Sequence, residues 1–432
     1  MEQVLPKGGF LHFTLLWFGE MISFMGSGLT GFALGVWVYQ NTGSVTEFSL
    51  IALSAALPGI VFSPIVGALS DRWDRRLLII VSDFGACLGT LAIILLLHNN
   101  VLKIWHIYII MMIISIFSTF RLSAYQASFT MLIPKEQLGR ANGMDQISVA
   151  ISQILPPVVA GVLVGSVGIE PVILIDFCTY IFALAMLLFV RIPKLTERPP
   201  GSDQSSLLND VANGWNYLTE RPGLLWLIFF VAIIYFAIAS LSVLITPLIL
   251  SMAPVETLGM VMSIGGSGML ISSLLISTWG GLKQDFRNAF IASMIFGVSI
   301  LIGGSSTSVP TITMMAFLAF FSLPFIISGS RTIFQKKTLP SFQGRIFAVR
   351  RMFNWAASGV AYFISGPLAD YVFKPLLLPG GLLANNVGTV IGIGQGRGIG
   401  LFMMIVGLIT IIALICVYPH LRFLEKKVPD AC

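Results

Sequence analysis

Twelve stretches of this chain read as long and apolar enough to cross a lipid bilayer, and they leave little sequence for anything else. They fall at 11–40, 46–70, 77–98, 104–127, 141–165, 169–191, 223–250, 256–280, 288–306, 310–335, 346–370 and 398–420. A bilayer core of about 30 Å is spanned by around 20 apolar residues in a helix. Lipid offers the backbone no hydrogen-bond partners, so such segments must close their bonds internally. The expectation is an all-α membrane protein of about 12 transmembrane helices. The chain is 56% hydrophobic and only 10% charged, whereas a soluble domain carries roughly 25% charged residues.

The net charge of +6 on a soluble chain would suggest nucleic acid; here the positions of the charges carry the meaning. With a cytoplasmic N-terminus, only Lys103, Lys374 and Arg397 fall on the outer side, leaving 22 of the 25 basic residues (25 − 3) inside. That asymmetry obeys the positive-inside rule, and the reverse orientation violates it. We expect both termini in the cytoplasm, a multi-pass protein of the cell's inner (plasma) membrane, no nucleic-acid partner, and a monomer. The first apolar stretch is long enough to span and ends in no cleavage site, so it reads as a retained helix rather than a signal peptide. Cys87, Cys178, Cys416 and Cys432 are scattered and indicate neither a disulfide framework nor a zinc site.

The clearest break is 192–222, with Pro193, Pro199, Pro200 and Gly201 stopping the preceding helix. Within it Leu207, Leu208, Val211, Trp215 and Leu218 recur at helical spacing, the pattern of a short amphipathic helix on the inner membrane surface. This divides the chain into an N-terminal six-helix half at 1–191, a cytoplasmic linker at 192–222, and a C-terminal six-helix half at 223–432. A second irregular stretch, Lys374–Gly400, holds Pro375, Pro379 and many glycines and reads as a flexible outer loop, with capping of an outer vestibule as the alternative.

The two halves echo each other. Arg121-Leu-Ser-Ala-Tyr-Gln126 leads to Pro134 and Gly139-Arg140; Arg331-Thr-Ile-Phe-Gln335 leads to Pro340 and Gly344-Arg345. Arg140 and Arg345 are 205 apart (345 − 140), as are Gly161 and Gly366 (366 − 161). Gly67-Ala-Leu69 after the second span matches Gly280-Gly-Leu282 after the eighth. Internal repeats of this kind build many secondary transporters, with the substrate site near the midplane between them.

The most specific motif is Gly67-Ala68-Leu69-Ser70-Asp71-Arg72-Trp73-Asp74-Arg75-Arg76. It resembles the G-x-L-x-D-R-x-G-R-R signature of the major facilitator superfamily, with Asp74 where that family has glycine. Gly67 permits close helix approach, while Asp71, Arg72, Arg75 and Arg76 supply charges for an inner gate latch; Arg140 and Arg345 join this gating set as the repeat arginines. Trp17-Phe18-Gly19-Glu20, Gly26-Ser27-Gly28, Ile133-Pro134, Leu138-Gly139-Arg140-Ala141-Asn142, Pro157, Gly161, Trp279-Gly280-Gly281 and Gly344-Arg345 resemble the macrolide-efflux and siderophore-export branch. The resemblance implies the major facilitator fold and an alternating-access carrier, often an exporter driven by proton entry.

Ionisable groups inside spans are costly and by default point to function. Glu20 lies about nine residues into the first span, roughly 14 Å deep, with no basic residue near it in sequence. Low dielectric favours the neutral form of a carboxyl, so Glu20 is the main candidate proton carrier, with a hydrogen-bonded structural role as the alternative. Asp83 and Arg121 reach similar depths of roughly 9 Å from the inner side. With Asp145 slightly shallower, they read as a charge cluster, structural or coupling. Asp176 has no evident partner and is a candidate second proton site.

Gln146 and Gln153 share one face of the fifth span, which Pro156-Pro157 and Gly161 should bend. Those glutamines, with Trp17, Glu20, Phe24, Tyr235, Phe321, Phe325 and Asn354, form the candidate substrate-binding set, an adaptable apolar pocket. His12, His98, His106 and His420 lie near span ends. Nothing resembles a nucleophile elbow, a phosphate loop or a metal-ligand set, so neither an enzyme, a cofactor nor a metal is expected, and pumping must draw on an ion gradient. The expected function is proton-coupled export of amphiphilic organic compounds: drug, macrolide, siderophore or secondary metabolite. The alternative is a uniporter or uptake carrier of the same fold.

Overall fold

A computed structural model describes residues 9–70, 73–133, 137–190, 192, 215, 217–278, 285–338 and 340–427. Twelve long helices account for nearly all of it, and no strand occurs among the described residues. We label them α1 (Gly9–Thr42), α2 (Val45–Ser70), α3 (Arg75–His98), α4 (Ile104–Leu132), α5 (Leu138–Val167), α6 (Ile169–Phe189), α7 (Pro222–Leu250), α8 (Val255–Thr278), α9 (Asp285–Ser305), α10 (Val309–Lys337), α11 (Pro340–Pro367) and α12 (Gln395–Lys427). Eleven are long and apolar enough to cross a membrane among the described residues. The exception, α11, has the length but carries Arg345, Arg350 and Arg351 in its first half. Connections are short: Gly168 alone joins α5 to α6, at φ +84°, a left-handed backbone that glycine adopts without a Cβ penalty.

The chain clusters into two units, one of Met1–Gly43 and Leu50–Asp203, the other of Ser44–Ser49 and Gln204–Cys432. The first unit has an apolar core on each side of a polar middle. One cluster holds Phe13, Leu16, Leu78, Ile79, Tyr125, Leu132 and Leu187. The other holds Leu34, Val38, Ile51, Ile93, Ile107 and Ile173. The fifth helix runs unbroken through Pro156 and Pro157. Gly28 of α1 faces Pro156, whose Cγ stands 2.9 Å from where a Cβ would sit.

The second unit is built around α7, buried along nearly all of Ala239–Ile249. The start of α2, Ser44–Ser49, belongs to it through Asp370: Ser44 Oγ, Val45 N, Thr46 N and Thr46 Oγ1 all donate to that carboxylate at 2.7–3.1 Å. Lys374 adds an ion pair at 2.6 Å.

The stretch 374–400 corrects the expectation of a flexible loop. After a π-helical turn at Leu368–Phe373 come short helices at Lys374–Leu376 and Gly388–Ile391. Leu377, Ile391 and Leu401 form a small core of their own. Backbone bonds from Leu383 N to Leu376 O (3.0 Å) and Gly394 N to Leu377 O (2.9 Å) close the fold. Arg397 is buried and donates to the Ser306 carbonyl at 2.7 Å.

The repeat offset is visible in helix boundaries: α4 and α10 start and end 205 residues apart (309 − 104; 337 − 132). At that offset Arg121 corresponds to Ile326, so the apparent match of Arg121 with Arg331 is out of register. The linker stretch 193–214, and with it most of the expected amphipathic helix, lies outside the described residues, as do Pro134 and 279–284.

Candidate functional site

Arg121 organises the middle of the first unit. Its side chain leaves α4 with 3% exposure, and it meets two carboxyls, Asp83 of α3 (1%) and Glu20 of α1 (2%). Nη1 donates to Asp83 Oδ1 at 3.2 Å and to Ser23 Oγ at 2.9 Å. Nε faces Glu20 Oε2 at 3.6 Å. That second contact is an ion pair without a hydrogen bond: Arg121 Nε and Glu20 Oε2 are both buried and both lack a hydrogen-bond partner. Phe24 covers one side of the guanidinium at 4.7 Å, and Tyr180 lies 5.8 Å from it.

Glu20, Ser23, Phe24 and Ser27 occupy positions i, i+3, i+4 and i+7 of α1, one face of the helix. Ser23 and Ser27 are absent from the candidate site residues read from the sequence, although their spacing from Glu20 was the signal to find them. Fully ionised, the trio carries one net negative charge in a buried place, and a single proton neutralises it.

A second buried carboxyl lies beside the first group. Asp176 of α6 is 2% exposed and accepts from two hydroxyls, Ser27 and Thr90, each at 3.5 Å. Ser27 also bonds the Tyr180 hydroxyl at 2.9 Å, linking the two carboxyl sites. Gly26 allows this approach, since a Cβ there would collide with Thr179 Oγ1 and come 2.8 Å from Asp176 Oδ1.

Several candidates sit differently from expectation. Asp145 is outside the arginine cluster; its carboxyl accepts from Tyr125, and Glu20 takes the place expected for it. Similar depth fixed neither residue's bearing around its helix. Glu20 and Phe24 both pack against Arg121. Trp17 is half-buried and donates Nε1 to the Met144 carbonyl at 2.8 Å, tying α1 to α5. Gln146 and Gln153 are exposed on α5. In the second unit Phe321 and Phe325 continue a half-buried ring ladder from Phe317, with centroids 5.6–6.1 Å apart. Tyr235 is half-buried and interacts with Arg350. Asn354 is buried, with its Oδ1 lacking a hydrogen-bond partner.

Of the gating set, Asp71 and Arg72 lie outside the described residues, as do the surroundings of Gly67 in α2 and the side chain of Arg345 in α11. Asp74, the departure from the motif, caps α3: it accepts from Arg76 N at 3.0 Å and Leu77 N at 3.3 Å. Arg75 donates to the Ala127 carbonyl at 2.7 Å, and Arg76 to the Leu187 and Leu188 carbonyls at 3.3 and 3.2 Å. Arg76 thus closes the last turn of α6, where helix carbonyls lack partners, while Arg75 ties α3 to the backbone of α4 more than a turn before its end. Arg140 is exposed and lies over the Phe10 ring at 4.6 Å.

Comparison with known proteins agrees with this architecture. The chain is 28% identical over 368 residues to macrolide efflux protein A of Streptococcus pyogenes, covering 84% of this chain and 90% of that protein. It is 24% identical over 365 residues to the multidrug resistance protein MdtG of Escherichia coli, covering 81% and 83%. A bacterial homologue of the human lysosomal transporter Spinster shares the fold at a TM-score of 0.71 and 12% identity, over 97% of each chain. A bacterial homologue of the iron transporter ferroportin does so at 0.68 and 14%, over 94% and 98%. The profile of the Major Facilitator Superfamily matches residues 16–362. The chain belongs to that superfamily: it is a multi-pass membrane transporter of small molecules.

Proposed function

We propose that this transporter exports amphiphilic organic compounds by alternating access in exchange for protons, with Glu20 as the main proton carrier. The observation that carries this reading is the unequal sharing of Arg121. Asp83 holds the guanidinium by a hydrogen bond, while Glu20 is attached only by a looser ion pair. Two carboxyls and one guanidinium leave room for one proton, and Glu20 is the carboxyl freer to take and release it. Asp176, set among neutral hydroxyls, is a second candidate. The export direction and the amphiphilic substrate class are supported by the names of the macrolide-efflux and multidrug relatives.

The orientation follows from the basic residues: both termini and the 192–222 linker in the cytoplasm, in the cell's inner membrane, with the chain acting as a monomer. The motif charges Asp71 and Arg72 serve the inner gate in this reading, while Arg75 and Arg76 tie α3 to the backbones of α4 and α6. Proteoliposomes with an imposed pH gradient test the proposal, with a labelled macrolide and a fluorescent carboxylate dye as probes. Concentrative uptake that follows the gradient supports it. Transport that runs only downhill and ignores pH identifies a uniporter or uptake carrier.

A further inference from the structure

The second unit contains a buried arginine that has no acid against it among the described residues. Arg350 of α11 is 7% exposed, and its protein hydrogen bond is the one Nη2 donates to Ser330 Oγ at 3.0 Å. Phe334 and Phe347 lie 5.1 and 6.0 Å from the guanidinium carbon, so aromatic rings flank the charge. The ionisable groups acting on it are the Tyr235 phenol and Arg331, and Arg331 repels the guanidinium. Among the described residues no carboxylate neutralises Arg350, in contrast to Arg121, which has two.

The internal repeat sharpens the contrast. Ser330 and Arg350 stand 205 residues after Tyr125 and Asp145 (330 − 125; 350 − 145). In the first unit this pair of positions holds a phenol bonded to a carboxyl. In the second unit the phenol is replaced by a small hydroxyl and the acid by a base. The sign of the charge is reversed and a ring's volume is removed. One turn further along α11, Asn354 is 7% exposed, with Oδ1 unpartnered; the i, i+4 spacing puts it on the same face as Arg350.

A guanidinium stays charged in proteins and presents five donors in a planar fork matched to carboxylate. Burying it without a counter-ion is costly unless a counter-ion arrives. We propose that Arg350, with Ser330 and Asn354, is a substrate subsite for an anionic oxygen group, and that the amphiphiles carried include organic acids. The carboxylate binds the guanidinium fork, the apolar body of the ligand lies against Phe334 and Phe347, and a ligand hydroxyl or amide donor reaches Asn354 Oδ1. This deepens the reading of the chain as a carrier of amphiphilic compounds and rests on it.

The test uses the purified full chain in nanodiscs, with three probes of one shape: 1-naphthylacetate, its neutral amide, and the cationic 1-naphthylethylamine. Binding is read by intrinsic tryptophan fluorescence and by thermal shift. The acid is expected to bind at least tenfold more tightly than the amide, with the amine weakest. Arg350→Gln should remove the preference of acid over amide, and Arg350→Lys should restore part of it. Equal binding of acid and amide, no binding of the acid, or a preference for the amine overturns the proposal in the unmodified protein, so the result does not depend on whether a variant folds. A preference that survives Arg350→Gln overturns it as well. The measurement needs no gradient and no turnover, so a failure of proton coupling leaves its outcome readable.

Discussion

Glu20 Oε2 and Arg121 Nε face each other at 3.6 Å, and neither atom has a hydrogen bond. Two buried, oppositely charged groups this close, yet unbonded, form an ion pair that a proton can replace without breaking directional bonds. Asp83 differs, since its hydrogen bond holds Arg121 in place whether or not Glu20 is ionised. The cluster therefore divides into an anchor and an exchangeable partner.

Glu20→Gln is expected to abolish pH-driven accumulation in proteoliposomes while preserving downhill exchange. The amide keeps the shape and removes the proton site. The pH profile of exchange should flatten in the same variant. If the variant still concentrates substrate with an unchanged profile, Glu20 is structural, and Asp83 or Asp176 becomes the carrier to test.

Asp83→Asn should act on stability first. Glu20 still neutralises Arg121 in that variant, but the guanidinium loses its one carboxylate hydrogen bond, at a cost of about 1.5–3 kcal/mol. Thermal unfolding in detergent should show Asp83→Asn well below Glu20→Gln, because Glu20 contributes no hydrogen bond to Arg121. Equal losses would mean that the two carboxyls hold the arginine equally.

The Asp83–Arg121 pairing was legible from depth along adjacent spans, because two intramembrane charges of opposite sign at one level seek each other. Glu20 joining them was not, since α1 and α4 are about a hundred residues apart and depth says nothing of bearing. The same blindness put Asp145 in the cluster, whereas Tyr125 takes its carboxyl. Arg350 was hidden differently: near the start of its span it passed as one more inner-side topology charge, and only its burial sets it apart. The glycine-rich stretch 374–400 read as loose because composition does not reveal the backbone bonds that close it.

The capping role of Asp74 predicts a graded series. Asp74→Ala removes the acceptor for two backbone donors of α3 and should cost about 1 kcal/mol, with Asp74→Asn close to neutral. Asp74→Gly, which restores the usual motif residue, should cost only a few tenths of a kcal/mol. Chemical denaturation in mild detergent resolves the order. A loss from Asp74→Asn as large as that from Asp74→Ala would show that charge, and not capping, is what matters there.

Topology has its own test. In a cysteine-less background, Asn385→Cys should react with an impermeant thiol reagent in intact cells, and Gly201→Cys only after permeabilisation. Asn385 is exposed within the ordered 374–400 segment, so the site is reachable without unfolding. Labelling of position 201 but not 385 would invert the orientation.

Gly26 is where the Asp176 site is most sensitive to packing. A Cβ on Gly26 would overlap Thr179 Oγ1 and stand 3.1 Å from the Asp176 Cα, so backbone as well as side chain must yield. Overpacking of this kind costs about 1–3 kcal/mol, and Gly26→Ala should lower the unfolding temperature accordingly. Thr179 is held by its own bond to the Asp176 carbonyl at 2.7 Å, so its hydroxyl cannot swing aside freely. Thr179→Ala should therefore rescue part of the loss. In a double-mutant cycle the two changes should couple by about 0.5 kcal/mol or more, because they share one contact. The displaced carboxyl should also shift any pH dependence that Asp176 contributes, and Glu20→Gln would serve as the background in which that contribution stands alone. If Gly26→Ala and Thr179→Ala prove strictly additive, α1 and α6 do not approach closely enough for Gly26 to set the position of Asp176.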